Sequence, residues 1–192
     1  MVWSVAVYRF LDDLDFFFKF LPLILLLLNF PVELFNCGAS LIAPNVVLSA
    51  AHCDPSASYL IDSYALVGAY HTWDDSRYGQ FVQISDQKVH PNYDDWTVDN
   101  DFMLLKLSES VTTPVVEINK DPDNPNTSSG GTTLTVIGVG ATSEGGWGSD
   151  ILQKVDVDSV SDSQCQSLGL GITENMFCAG KQTQNAHLFV LT

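Results

Sequence analysis

The stretch that decides the fold is CGASLIAPNVVLSAAHC, residues 37–53. Two short apolar runs, residues 40–42 and 46–49, lie between its two cysteines and are separated by turn-forming residues. Short runs of this kind, bounded by Gly, Pro and Asn, are typical of β-strands. The stretch ends with His52 beside Cys53. One segment therefore combines two candidate strands, two candidate disulfide partners and a side chain that can exchange protons near neutral pH.

The same strand pattern continues through most of the chain. Further apolar runs, rich in Val, Ile, Leu and Phe, occupy residues 64–67, 81–84, 102–107, 115–118, 134–137 and 151–157. Many short strands separated by turns predict a β-sandwich or a β-barrel. One short helix is predicted over residues 161–168, with Ser161 or Asp162 as its N-cap.

A polar segment, KDPDNPNTSSGG at residues 120–131, separates the two halves of this pattern. It contains two prolines and no apolar residue, which predicts an exposed loop. The loop includes the sequence Asn126-Thr127-Ser128, which is an N-glycosylation acceptor if the chain is secreted.

Composition excludes several classes of function. The 192 residues suffice for one domain or two small subdomains, and 46% of them are hydrophobic, which excludes a disordered chain. The formal net charge is −15. Because a nucleic-acid interface needs a basic face, nucleic acid is not an expected partner, and anionic membrane surfaces are disfavoured for the same reason.

The four cysteines form two close couples. Cys37 and Cys53 are 16 positions apart, and Cys165 and Cys178 are 13 positions apart. No Cys-x-x-Cys pattern occurs, which argues against a structural zinc site. Three pairings are open, and buried free thiols are an alternative, but two local disulfides are the simpler interpretation. Disulfides imply an oxidising compartment.

Residues 1–36 differ from the rest of the chain. Their apolar run, residues 20–28, is too short to span a bilayer, which takes about 20 residues. Its length fits the core of a secretory signal peptide, but three aspartates at residues 12–15 precede it where basic residues are typical. Two interpretations stay open: a degenerate signal, or sequence that does not belong to the mature protein.

Four ordered blocks resemble the trypsin/chymotrypsin family of serine proteases. The stretch at residues 37–53 is similar to the family block around its catalytic histidine. The others are DNDFMLLKL at 99–107, LTVIGVG at 134–140, followed by SEGGWGSDILQKVDV at 143–157, and ITENMFCAG at 172–180. The resemblance covers residues 37–180 and leaves 181–192 as an unrelated tail.

The resemblance implies an all-β fold, a double six-stranded antiparallel β-barrel whose second barrel is incomplete. It implies disulfides Cys37–Cys53 and Cys165–Cys178. It makes His52 the general base and acid, and it makes Asp101, favoured over Asp99 by the strand that follows, the residue that orients His52. The implied activity is hydrolysis of peptide bonds in proteins or peptides, through an acyl-enzyme, by a secreted monomer. No cofactor or metal is expected.

The nucleophile of this family is missing from the sequence. The family places its serine in a glycine-rich block after Cys-Ala-Gly, whereas residues 181–192 read KQTQNAHLFVLT and no serine follows Ser167. The triplet Ser129-Gly130-Gly131 imitates that block but precedes the strand at 134–140, so it is rejected. The N-terminal Ile-Val-Gly-Gly sequence that the family releases on activation also has no counterpart here.

We therefore predict that these 192 residues are catalytically inactive and that the complete form is a serine endopeptidase. The alternatives are a secreted non-catalytic homologue that acts as a binding protein, and a chain that does not fold. A calcium site near Asp74 and Asp75 is less favoured than a solvated acidic loop. His71, His90 and His187 are scattered and carry no predicted catalytic role.

Overall fold

In the part of the chain that the structure describes, two antiparallel β-units and one short α-helix are present. The computed structural model describes residues 6–8, 23–28, 34–54, 63–71, 79–121, 123–139, 148–180 and 188–191. In chain order the elements are β1 Ala6–Tyr8, β2 Leu23–Leu28, β3 Leu34–Ala43, β4 Val46–Ser49, β5 Tyr64–Val67, β6 Gln80–Val89, β7 Met103–Leu107, β8 Thr133–Gly138, β9 Gln153–Val160, α1 Asp162–Ser167, β10 Phe177–Gly180 and β11 Leu188–Leu191.

The first unit is a closed six-stranded barrel with the strand order β2-β3-β4-β7-β6-β5. Alternation along the strands determines what fills it. In β7, Met103, Leu105 and Leu107 are buried, whereas Leu104 and Lys106 are exposed. Since side chains alternate across a strand, this period places one row inside the barrel and the other in solvent.

Fourteen buried residues form the barrel core. They come from five of its strands and from the turns that follow β4 and β7, and they are Cys37, Ala39, Leu41, Val47, Ala51, Cys53, Ala65, Val67, Val82, Ile84, Met103, Leu105, Leu107 and Val111. Burial of this much apolar surface in one continuous cluster is the main stabilising contribution in a β-fold.

The second unit is an open sheet with the order β1-β8-β9-β10-β11. Leu134, Val157 and Ala179 pack together on one face. On the opposite face, Thr133 donates a hydrogen bond to Asp158 and Thr135 donates one to Asp156. Nearer β10 the same face is apolar, because Val160 and Cys178 pack there with Cys165.

The expected all-β class is confirmed, and the unit in which an incomplete second barrel was expected is an open sheet within the described residues. The short helix is also as predicted, because Gln164 donates its N–H to the side chain of the N-cap Ser161. Across the described part of the chain, no helix has the length and apolar character needed to cross a membrane.

The predicted strand at residues 115–118 is wrong. This segment follows Pro114 and has no regular ladder, although the N–H of Val116 donates to the carbonyl of Leu41 at 2.9 Å. Val115 and Ile118 are 47% and 52% exposed. An apolar run is buried only where another part of the chain covers it. Residues 115–118 lie on the outside of the barrel.

Paired strands extend beyond the range 37–180 at both ends. β2 comes from the apolar run at residues 20–28, and it pairs with β3 and β5 to close the barrel. β1 pairs with β8, and β11, from the segment interpreted as an unrelated tail, pairs with β10. β2 consists of six consecutive apolar residues. Without an alternation of polar and apolar residues, the sequence of this run does not show which strands it pairs with.

Candidate active site

His52 lies in a tight 3-10 turn, Ala51–Cys53, directly after β4. The turn is held by a hydrogen bond from the N–H of Asp54 to the carbonyl of Ala51, at 3.0 Å. Its neighbours Ala51 and Cys53 are buried, and Cys53 forms a disulfide with Cys37 in β3, with an S–S distance of 2.02 Å. The turn and the disulfide together fix the backbone of His52 at the rim of the barrel.

Asp101 reaches the same rim from the opposite direction. It lies just before β7, and β7 runs antiparallel to β4 with Met103 opposite Ser49. In an antiparallel pair, the residues that follow one strand meet those that precede the other. The topology therefore brings Asp101 beside His52, although 49 positions separate them in the sequence.

The Asp101 carboxylate accepts two hydrogen bonds from His52. One oxygen, Oδ2, lies 2.6 Å from the ring Nδ1, and the other, Oδ1, accepts the backbone N–H at 2.8 Å. The Asp101 side chain is 6% exposed, whereas that of His52 is 23% exposed. Because a carboxylate only accepts, Nδ1 must carry the shared proton, which leaves Nε2 as the basic nitrogen.

Asp99, the other aspartate of this segment, binds elsewhere. Its carboxylate accepts the hydroxyl of Thr173 at 2.6 Å and the amide of Asn175 at 3.2 Å. The Thr173 hydrogen bond holds the pKa of Asp99 below its ordinary value, against a smaller opposing effect of desolvation, and Asn175 acts in the same direction as Thr173. Sequence reasoning considered Asp99 only as a rival of Asp101 and missed this contact, which joins the barrel to the segment before β10.

Tyr93 is a second neighbour that the sequence did not single out. It packs against the barrel core. Burial raises the pKa of the Tyr93 hydroxyl, and the negative charge of Asp101 adds to the effect. Tyr93 thus contributes an apolar ring and a neutral hydroxyl to the surroundings of the Asp101 carboxylate.

The remaining predicted residues lie apart from His52 and Asp101. Cys165 in α1 forms a disulfide with Cys178 in β10, inside the sheet unit. Ser129 is exposed, and the N–H of Gly131 donates to the carbonyl of Ser159 at 2.7 Å, so this triplet lies in a loop beside β9. Among the other histidines, His90 meets the ring of Phe102 edge-on, with ring centroids 6.5 Å apart, and His71 pairs with Ile151.

Metal ligation finds little support in the described residues. Ligand atoms of Cys37, His52 and Cys53 lie within 4.8 Å of one another. Both sulfurs are consumed in the disulfide, so they offer no thiolate to a metal. Asp74, Asp75 and His187 lie outside the residues that the structure describes.

Sequence comparison identifies the family of the chain. The profile of the trypsin family matches residues 29–187. The chain belongs to the trypsin family. It is 37% identical to trypsin V-A of Rattus norvegicus over 145 residues, which are 75% of this chain and 56% of the rat protein.

Two further trypsin-family relatives give the same result. Brachyurin of Leptuca pugilator is 32% identical over 159 residues, covering 80% of this chain and 68% of that protein. A trypsin of Xenopus laevis is 36% identical over 146 residues, covering 75% and 57%. The match therefore spans little more than half of the length of the rat and frog relatives.

Proposed function

We propose that the complete protein is a serine endopeptidase that hydrolyses peptide bonds in proteins or peptides through an acyl-enzyme. The observation that supports this proposal is the double hydrogen bond from His52 to Asp101. In the proposed mechanism His52 Nε2 takes the proton of a serine hydroxyl and later gives it to the leaving amine. Asp101 holds the ring and stabilises the imidazolium that forms.

The 192-residue polypeptide by itself is proposed to be inactive. His52 and Asp101 are present, but no serine follows Ser167. A histidine base without a nucleophile cannot form the acyl-enzyme. The three groups act as a unit, so removing the serine alone removes nearly all of the covalent pathway.

A covalent serine probe tests this proposal. The purified chain would be incubated with a fluorophosphonate and examined by intact mass, with a trypsin as the positive control and His52→Ala as the negative control. We expect no mass increase for the chain and complete labelling of the trypsin. Stoichiometric labelling that disappears in His52→Ala would show that these residues carry a working nucleophile.

The non-catalytic alternative rests on the same missing serine. In this alternative the His52–Asp101 pair and both disulfides are retained for folding and the protein binds a partner through its loops. Sequencing the transcript beyond the codon for Gly180 separates the two proposals. A continuation that encodes Asp-Ser-Gly-Gly supports the endopeptidase, whereas a transcript that ends as printed supports the non-catalytic protein.

Secretion as a monomer is part of the proposal, and Asn126 can report on the compartment. Asn126 is exposed, and its side-chain oxygen accepts the N–H groups of Ser128 and Ser129 at 3.0 Å. A glycan on Nδ2 leaves that oxygen free to keep both hydrogen bonds. The acceptor sequence can therefore be glycosylated without loss of this turn.

The test is expression in secreting eukaryotic cells followed by glycosidase treatment. We expect one mobility shift in the secreted chain, and light scattering should give the mass of a glycosylated monomer. Ser128→Ala is the matched control, because it removes the acceptor sequence while the Ser128 N–H still donates to Asn126. A chain that stays in the cell unglycosylated would argue against secretion.

A further inference from the structure

A polar contact joins the sheet unit to the barrel two positions before Asp101. The Asp99 carboxylate accepts the Thr173 hydroxyl at 2.6 Å, and Asn175 Nδ2 lies 3.2 Å from each of its two oxygens. Thr173 is itself held, because its hydroxyl oxygen accepts the N–H of Asn175 at 3.3 Å. Two side chains of one short segment thus converge on a single carboxylate.

That segment has a rigid support. It precedes β10, where Cys178 is disulfide-bonded to Cys165 in α1. Both cysteines are fully buried, and Leu170 and Ile172 pack against them. The donors to Asp99 are therefore attached to a fixed part of the sheet unit.

The backbone around Asp99 is held in an unfavourable conformation. Val98 and Asn100 have φ angles of +59° and +54°, in the left-handed region. Asparagine tolerates this region, but a β-branched valine rarely adopts it. Such conformations persist only where surrounding contacts determine them.

Further hydrogen bonds shape the same turn. The Asn100 side chain donates to the carbonyl of Asn92 at 3.2 Å, and the N–H of Asp94 donates to the carbonyl of Asp99 at 3.1 Å. The turn then presents two carboxylates in different directions. Asp99 meets the sheet unit, and Asp101 meets His52.

We propose that Asp99 is a positioning residue that, through Thr173 and Asn175, lets the sheet unit fix the turn that presents Asp101 to His52. This inference rests on the proposed function of the His52–Asp101 pair. His52 and Asp101 both belong to the barrel, and in this proposal the sheet unit helps to fix their relative positions. Asp99 would act through Asp101 and would not contact substrate.

The test observes the proton between His52 Nδ1 and Asp101 by NMR. A proton in a short charged N–H···O bond resonates far downfield, and its exchange with water reports how often that bond opens. We expect Thr173→Val and Asp99→Ala to speed this exchange about tenfold, the factor that corresponds to loss of one hydrogen bond to a charged group. Thr173→Ser restores the hydroxyl and should restore slow exchange.

Thr133→Val is the matched control. It removes a hydroxyl that also bonds an aspartate, Asp158, at 2.9 Å, but that bond lies wholly within the sheet. We expect no change in the exchange of the His52 proton. Near-UV circular dichroism shows whether each variant is folded. If Asp99→Ala does not fold, the proton exchange rate of Thr173→Val decides the test.

The two possible failures can be told apart. A downfield proton that is present, is lost in Asp101→Asn, and is unchanged in folded Thr173→Val overturns the positioning role alone. A wild-type chain with no downfield proton sensitive to Asp101→Asn overturns the proposed pair and the inference with it.

Discussion

The barrel and the sheet are built from similar strands, but the buried apolar clusters of their described residues differ greatly in size. The barrel closes on itself, and its core is one cluster of fourteen residues. The sheet ends in β1 and β11, and its buried residues fall into separate groups, two of them with three residues each. A closed sheet has no unpaired edge, whereas an open one depends on other contacts.

This difference assigns distinct tasks to the two units. Both His52 and Asp101 lie on the rim of the barrel, so the unit with the larger described core holds the proposed catalytic pair. The sheet contributes Thr173 and Asn175, which contact the turn beside Asp101. We therefore expect substitutions in the barrel to reduce global stability most, and substitutions at the junction to change site geometry.

The largest effect should come from removing a central barrel side chain. Leu41 is fully buried, and Leu41→Ala should lower the free energy of unfolding by about 2 to 5 kcal/mol, since it leaves a cavity in the core. Leu134→Ala makes the same change in a three-residue cluster of the sheet and should cost less. Urea denaturation measures both. Equal losses, or a larger loss for Leu134→Ala, would contradict the contrast between the two units.

The two disulfides should contribute similarly to stability and differently to the site. They close loops of 16 and 13 positions, so chain entropy gives each about 3 kcal/mol. Replacing either pair by serines should lower the free energy of unfolding by a similar amount. Loss of Cys37–Cys53 should change the His52 NMR signals more, because Cys53 is in the turn that carries His52, whereas Cys165–Cys178 reaches the site only through Thr173 and Asn175. A larger change after loss of Cys165–Cys178 would reverse that order.

Much of the barrel could be predicted from the sequence, because local patterns determine it. Alternation in β7 and the short runs in β4 and β5 predict strands whatever their partners. The short helix was predictable from its N-cap Ser161. The strands β2 and β11 were not, because their continuous apolar runs lack the alternation that identifies a half-buried strand and carry no register information.

In the site, too, residues in local patterns could be predicted and contacts between distant residues could not. His52 and Asp101 fall in blocks with strong local patterns, so resemblance proposes their roles directly. The contact of Asp99 with Thr173 joins residues 74 positions apart, and no local pattern indicates it. The one available signal was that a second aspartate, two positions before Asp101, had no assigned partner.

A smaller difference in stability is expected between alanine substitutions at two adjacent glycines in the loop before β8. Gly130 and Gly131 have φ angles of +69° and +83°, so alanine at either position costs about 1 to 2 kcal/mol in backbone strain. A Cβ on Gly130 would also lie 2.8 Å from the carbonyl oxygen of Ser159, whereas one on Gly131 meets nothing within 4 Å. Gly130→Ala should therefore be the more destabilising in thermal denaturation. The reverse order would show that this loop is not packed against β9 as described.

Acid should weaken the junction between the two units. The Thr173 and Asn175 hydrogen bonds lower the pKa of Asp99, so the folded protein binds this proton less readily than the unfolded chain. The resulting stability is complete above the unfolded pKa of about 3.9 and is lost as the pH falls through the lower folded pKa. Thr173→Val should flatten this part of the stability profile between pH 6 and 2, and Thr173→Ser should not. An identical acid profile for Thr173→Val and wild type would show that the hydroxyl does not stabilise the Asp99 carboxylate.

The smallest effect should appear in alkali and within the barrel alone. Burial and the Asp101 charge raise the pKa of Tyr93, so the folded protein keeps the phenol proton more firmly than the unfolded chain. Stability from this residue is constant below the unfolded pKa of about 10 and falls as the pH rises from there toward the raised folded pKa. Tyr93→Phe should remove that decline, measured by urea denaturation between pH 8 and 11. Tyr70→Phe, at an exposed tyrosine, is the control. An unchanged decline in Tyr93→Phe would mean that the decline does not come from the Tyr93 hydroxyl, and that burial and the Asp101 charge do not raise its pKa.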